Sequence, residues 1–392
     1  MLRYLIVFAV AAGVTYAATP IARRVAIRVG AVVYPDERRV HTSPTPTLGG
    51  AAMFLGFLVA MAVAAALPSF RPVFSGSSEP FGVIIAATLI FGVGLLDDIR
   101  EVSAPAKVAG QVLAACVLGL AGVTMFYFRI PFADFVVLSP DLGFLVTVLW
   151  VVGMANAVNL IDGLDGLAAG IIGIAALAFF LYANRLSGAG LLSTDSIGLL
   201  IPAIACGLAV GFLPHNFHPS KVFMGDAGAM LLGLLMASTT LVVGGRTADQ
   251  FSGQTYFFFA PLFIPFFTLG VPMLDTAFAV VRRAARRTGI SQADKEHLHH
   301  RLMRLGHGQR RSVVILWAWT AVLSAVVLFP TYTNRGNAIV PAVMAGMGVA
   351  LYTLFHPGVR RQSQVAEMPQ TEPAPAAPKG RPPNLRPPAR LP

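Results

Sequence analysis

Apolar segments of membrane-crossing length recur along this chain, and that feature leaves few folds open to it. They run at Leu2 to Ala18, Gly49 to Leu67, Phe81 to Leu96, Val108 to Met125, Leu142 to Val158, Leu167 to Leu181, Ile197 to Leu213, Ala227 to Val243, Tyr256 to Val281, Val313 to Phe329 and Ile339 to Leu354. Each is close to the roughly 17 to 25 residues that span a hydrocarbon core as a helix. Lipid offers no hydrogen bonds, so the backbone groups of such segments must satisfy one another inside helices. With 56% hydrophobic and only 12% charged residues, the expectation is an all-α polytopic integral membrane protein with about eleven transmembrane helices.

Basic residues are retained on the cytoplasmic side of a membrane. Placing the N-terminus outside and the C-terminus in the cytoplasm leaves all but Arg3, Arg71, Arg129, Arg185, Arg246 and Arg335 of the 29 Lys and Arg on the inner side. The same asymmetry accounts for the net charge of +11. These charges are spread over loops without a compact basic domain, so nucleic acid is not an expected partner. Arg3 ahead of an apolar stretch imitates a secretory signal, but Arg23, Arg24 and Arg28 follow it directly and favour an uncleaved first helix. Cys116 and Cys206 fall inside predicted spans and build neither a disulfide framework nor a thiolate metal site. Residues 1–356 read as the membrane domain. Beyond them the chain turns to Pro, Ala and Arg and cannot bury a core, so 357–392 is expected to be a disordered cytoplasmic tail.

A carboxylate at membrane depth costs roughly 3 kcal/mol on insertion scales, which makes each one a functional candidate. Asp97, Asp98, Asp162, Asp165, Asp226 and Asp275 all lie within or at the ends of apolar segments, and all but Asp275 are at cytoplasmic ends. Asp97 and Asp98 are adjacent and repel, so a cation beside them is expected. That cation is either Mg2+, which brings substrate phosphates with it, or the nearby Arg100 and Lys107. From Asn156 through Asn159, Asp162 and Asp165, polar groups recur every three residues. A helix drifts by about 60° at that spacing, so a break near Gly163 is expected, with the two Asn on a span end and the two Asp in a turn. Phe223-Met224-Gly225-Asp226-Ala227-Gly228 precedes a span that begins in the cytoplasm. Its free N–H groups suit a phosphate or its metal, and Asp226 either caps that helix or ligates the ion.

The longest inner loop carries His297, His299, His300 and Arg301. His297 and His300 share a helical face with Arg304. No Cys accompanies them and the HExxH pattern is missing, so contacts to phosphate or sugar oxygens fit better than zinc. Asp275 shares a face with Arg282, and either an ion pair or a supporting role would account for it.

Taken in order, Arg39-Val40-His41 with Pro46-Thr47-Leu48-Gly49-Gly50, Leu95-Leu96-Asp97-Asp98, Asn156 through Gly166, Phe223 through Gly228 and His297 through Leu302 resemble the polyprenyl-phosphate N-acetylhexosamine-1-phosphate transferases, the MraY and WecA family. The likeness covers roughly residues 30 to 325. It departs from the family's usual first loop at Val33-Tyr34-Pro35 and at Thr47. The resemblance implies a bacterial plasma-membrane enzyme in which a polyprenyl phosphate attacks the β-phosphorus of a UDP-sugar and releases UMP. It implies Mg2+, with Mn2+ as a substitute, an active site facing the cytoplasm and a homodimer as a possible assembly. Asp97 and Asp98 would be catalytic, as base or nucleophile. Asp226, Asp98 and Asn159 would hold the metal. Phe223 would stack on uracil, Lys107, Asn156, Asp162 and Asp165 would line the nucleotide region, and His297, His299, His300 and Arg301 the sugar and diphosphate. The His-x-His-His-Arg form favours UDP-N-acetylglucosamine over UDP-N-acetylmuramoyl-pentapeptide.

Two rival classes fit the sequence less well. The CDP-alcohol phosphotransferases need an Ala-Arg pair and further spaced aspartates, whereas Asp165-Gly166 is followed by Leu167-Ala168-Ala169-Gly170. An ion-coupled transporter would place its carboxylates near the midplane of several spans and reveal internal repeats, and neither pattern is present.

Overall fold

The computed structural model describes residues 1–34, 44–129, 135–193, 195–244, 308–333 and 345–348. Ten helices carry most of that chain: α1 (Leu2–Val29), α2 (Gly49–Ala66), α3 (Arg71–Gly76), α4 (Glu79–Arg100), α5 (Ala104–Leu120), α6 (Pro140–Ile161), α7 (Leu167–Gly188), α8 (Leu200–Asn216), α9 (Gly225–Gly244) and α10 (Gln309–Thr333). Six of them, α1, α2, α4, α6, α7 and α9, are long and apolar enough to cross a membrane, and α5 and α8 are shorter apolar helices. The chain is therefore a polytopic helical membrane protein. The predicted span from Tyr256 to Val281 and most of that from Ile339 to Leu354 lie outside the described residues, as do Asp275 and the tail.

The all-α expectation misses two short ladders. Val32–Val33 (β1) pairs antiparallel with Thr45–Pro46 (β2), and Tyr127–Arg129 (β3) with Phe135–Val137 (β4). Both sit in interhelical loops and are only two or three residues long on each strand, too short to give a usable period in the sequence. A 3-10 turn at Pro68–Phe70 and α3 occupy the connection between α2 and α4.

Helix α9 is the centre of the bundle. It packs against α2, α4, α6, α7 and α8, and 94% of its apolar window is buried against 28% for α1. A helix apolar on every side belongs in such a position. Helix packing in lipid has little hydrophobic drive and depends on close backbone approach at small residues. Gly94 of α4 shows this: a Cβ there would stand 2.5 Å from Ala227 Cα of α9.

The apolar helices α1, α2 and α4 to α9 alternate in direction, which brings particular ends together. Gly49 N donates to Phe223 O at 2.9 Å and Gly50 N to Met224 O at 2.8 Å, while Phe223 N donates to Pro46 O at 2.8 Å. Arg23 Nε reaches Lys221 O at 3.1 Å. The end of α1, the starts of α2, α5, α7 and α9 and the ends of α4, α6 and α8 thus form one face.

Candidate active site

On that face five of the six singled-out aspartates gather. Helix α4 continues through Arg100, so Asp97 and Asp98 occupy its last turn and point to different partners. Asp97 Oδ1 accepts from Val102 N at 2.7 Å and Oδ2 from Lys107 Nζ at 3.0 Å. Lys107, in the first turn of α5, also pairs with Asp226. The ammonium therefore stands between two carboxylates, as the ion-pair alternative for this cluster anticipated, with Lys107 rather than Arg100 as the cation.

Asp98 caps α9. Its Oδ1 accepts from Asp226 N at 2.8 Å and its Oδ2 from Ala227 N at 3.2 Å, and the Thr47 hydroxyl also bonds it. The expectation that α9 begins with free N–H groups is corrected here for these two, because a carboxylate from another helix already satisfies them. Asp226 is not the cap of its own helix, which leaves its side chain facing Lys107. Gly225 makes this possible. Its φ is 69°, and a Cβ there would stand 2.5 Å from Asp98 Oδ1 and 2.5 Å from Thr47 O, so only glycine fits.

The polar run from Asn156 divides as expected, since α6 ends at Ile161 and α7 begins at Leu167 after a left-handed Gly166 with φ 78°. Asn156 turns inward: its Nδ2 donates to Gln111 Oε1 at 2.6 Å and to Val152 O at 2.8 Å, and its Oδ1 accepts from Gln111. Gln111 is fully buried, and the exchanged amide pair joins α5 to α6 one turn from Lys107. The side chain of Asn159, by contrast, is half-buried and has no partner among the described residues. Asp162 follows the end of α6 and keeps a partly accessible surface. Burial pushes its carboxyl up to about 7, and the charges of Asp98 and Asp165 push in the same direction. Its charge is thus close enough to feel both neighbours.

Asp165 is 6% exposed and binds the loop before α9, accepting from His218 Nδ1 at 2.6 Å and Ser220 N at 3.2 Å. In the same loop Asn216 accepts from Gly166 N at 3.0 Å and donates to Val222 O at 3.0 Å. Gln111, Asn216 and His218 were not chosen from the sequence as site residues. His218 and Asn216 had a signal, standing five and seven residues before Phe223, but nothing local names their partners. Phe223 itself hangs between α2 and α9 by its backbone bonds. His297, His299, His300 and Arg301 lie outside the described residues.

Among the described residues no three Asp, Glu, His or Cys converge as a complete metal cage. Mg2+ needs none, because it keeps waters and takes one or two carboxylates together with substrate phosphates. Oxygen donors from Asp98, Asp226 and Asn159 are the donor chemistry that ion requires.

Residues 80–244 match the model of glycosyl transferase family 4. The chain is 39% identical over 324 residues to a decaprenyl-phosphate N-acetylglucosaminephosphotransferase of Mycobacterium tuberculosis, covering 80% of this chain and 79% of that protein. A probable undecaprenyl-phosphate N-acetylglucosaminyl 1-phosphate transferase of Bacillus subtilis is 35% identical over 84% of this chain and 86% of its own length. A phospho-N-acetylmuramoyl-pentapeptide-transferase of Desulforudis audaxviator is 34% identical over 81% of this chain and 96% of its own length.

Proposed function

This chain belongs to glycosyl transferase family 4, the polyprenyl-phosphate sugar-1-phosphate transferases, and from that premise we propose that it transfers N-acetylglucosamine-1-phosphate from UDP-N-acetylglucosamine to a membrane polyprenyl phosphate. An oxygen of the lipid phosphate forms a bond to the β-phosphorus, the bond from that phosphorus to UMP breaks, and UMP leaves with the electron pair. The products are a polyprenyl-diphosphate sugar and UMP. The observation that carries the reading is the convergence of Asp97, Asp98, Asp162 and Asp226 with Lys107 at one end of the bundle, in a family whose relatives are named for this transfer. Those N-acetylglucosamine relatives favour this sugar over the muramoyl-pentapeptide, in agreement with the His297 to Arg301 pattern.

In this reading Asp97 and Asp98 are the catalytic carboxylates, one of which holds or receives the proton of the lipid phosphate. Asp226, Asp98 and Asn159 would hold Mg2+, which when bound supplies charge neutralisation and Lewis acidity at the diphosphate. Asn156 sets α5 and hence Lys107 against α6, Asp162 and Asp165 border the nucleotide region, Phe223 stacks on the base, and His297, His299, His300 and Arg301 take the sugar and diphosphate. Eleven spans with the N-terminus outside would put this face in the cytoplasm of a bacterial cell, where UDP-sugars are found, and a homodimer is the assembly to test. Purified protein mixed with Mg2+, polyprenyl phosphate and radiolabelled UDP-N-acetylglucosamine should yield labelled lipid and UMP. No product under conditions that support a related enzyme would overturn the proposal, and a panel of UDP-sugars in the same assay settles the sugar.

A further inference from the structure

The transfer just described gives Asp165 a place but not a contact, and none of its steps uses His218. The two form a pair whose geometry is more specific than a loop tether requires. Asp165 holds the imidazole by Nδ1 at 2.6 Å and the following turn by Ser220 N at 3.2 Å. From the other side Arg310 Nε donates to the His218 carbonyl at 3.0 Å, so both ring and backbone are fixed. The His218 side chain is nevertheless 35% exposed, and its Nε2 has no partner among the described residues. An imidazole whose Nδ1–H is given to a carboxylate has its tautomer set, and its Nε2 keeps a lone pair directed outward. His218 stands five residues before Phe223, and Asp165 three after Asp162, so the pair extends the site from its acidic cluster toward the loop that leads to Phe223.

We propose that His218, oriented by Asp165, is a further substrate-binding residue whose Nε2 accepts a hydrogen bond from the nucleoside half of the sugar nucleotide, from a ribose hydroxyl or from the N3–H of the uracil. The proposal rests on the sugar-nucleotide reading above. Diphosphate oxygens belong with the basic and metal-binding groups, and they carry no hydrogen for the Nε2 lone pair to accept. The nucleoside offers donors. Asp165 is a positioning residue in this scheme, acting only through the ring.

The test uses the full chain in detergent and the variant His218→Asn, whose amide nitrogen takes the position of Nδ1 and keeps the bond to Asp165 while removing Nε2. Calorimetric titration compares UMP with its 2′-deoxy, 3′-deoxy and N3-methyl analogues. The wild-type protein should bind one analogue about tenfold more weakly than UMP, the worth of one hydrogen bond. His218→Asn should bind UMP about tenfold more weakly and no longer distinguish that analogue from UMP. His218→Gln, whose carbonyl can stand where Nε2 was, should recover part of the affinity. Unchanged UMP binding by His218→Asn would reduce the pair to a loop tether and overturn the proposal. Weaker binding with every analogue penalty intact would overturn it too, by showing a purely structural effect. Wild-type protein that turns over UDP-N-acetylglucosamine in either case separates this failure from failure of the sugar-nucleotide reading, in which neither turnover nor UMP binding would be seen.

Discussion

Lys107 holds Asp97 and Asp226, on different helices, to one ammonium, so the charge of each acidic residue matters more than its volume. Asp226→Asn keeps the shape and removes the charge. Mg2+-dependent turnover should fall at least about 100-fold, the usual cost of deleting one electrostatic contact to a transition state, with the thermal unfolding midpoint near that of the wild type. Near-normal turnover would reject the ligand role. Asp162 allows a second prediction. Its carboxyl titrates at about 7 rather than 3.8, so the folded protein holds a proton there that the unfolded chain has lost. Without a bound cation, stability should therefore decline as pH rises from 3.8 through about 7. A cation bound nearby favours the ionised carboxylate, so Mg2+ affinity should climb with pH through about 7 and level off above it. Titrations of Mg2+ at several pH values check this, and Asp162→Asn should reduce the dependence.

At the level of elements, the site depends on how closely α4 and α9 approach. Gly94 lies one turn before Asp98 on α4, against the start of α9. Gly94→Val would force the two backbones apart, costing about 1 to 3 kcal/mol as overpacking does and drawing the Asp98 carboxylate off the N–H groups of Asp226 and Ala227. Both the unfolding midpoint and turnover should drop. Gly92 is the control: it lies on the same helix with nothing within 4 Å of its Cβ position, so Gly92→Ala should leave both unchanged or raise stability slightly. Equal effects of the two substitutions would show that the α4 to α9 contact is not what places Asp98. Gln111 serves α5 in a related way. Gln111→Leu strands the Asn156 amide at a buried junction, and a loss of about 1 to 3 kcal/mol is expected in unfolding experiments.

For the whole molecule, the alternation of helices and the basic residues near one set of ends make a testable arrangement. Ser103 in the turn between α4 and α5 and Ser69 in the connection after α2 are both exposed and belong to opposite ends of the bundle. With Cys116 and Cys206 replaced, Ser69→Cys should react with a membrane-impermeant maleimide added to intact cells, and Ser103→Cys only after the membrane is opened. Labelling of both from outside would end the proposed orientation. Removing residues 357–392 should leave turnover unchanged in the radiolabel assay if that segment is a solvated tail.

Much of this architecture was legible residue by residue. Apolar run length placed the long described helices because lipid forces backbone groups to pair locally, and local rules can be read along a chain. Carboxylates in apolar surroundings marked the site for the same reason, since their cost is paid wherever they stand. The short ladders at Val32–Val33 and Tyr127–Arg129 were too brief to show a period. What the tertiary structure alone decided is who meets whom: that Asp98 rather than Asp226 caps α9, that Lys107 joins two carboxylates from different helices, that Asn156 spends its amide on Gln111, and that Asp165 turns to His218. Such contacts join residues dozens of positions apart. Their energies depend on distances that exist only once the helices have packed, so no periodicity or motif along the chain could have specified them.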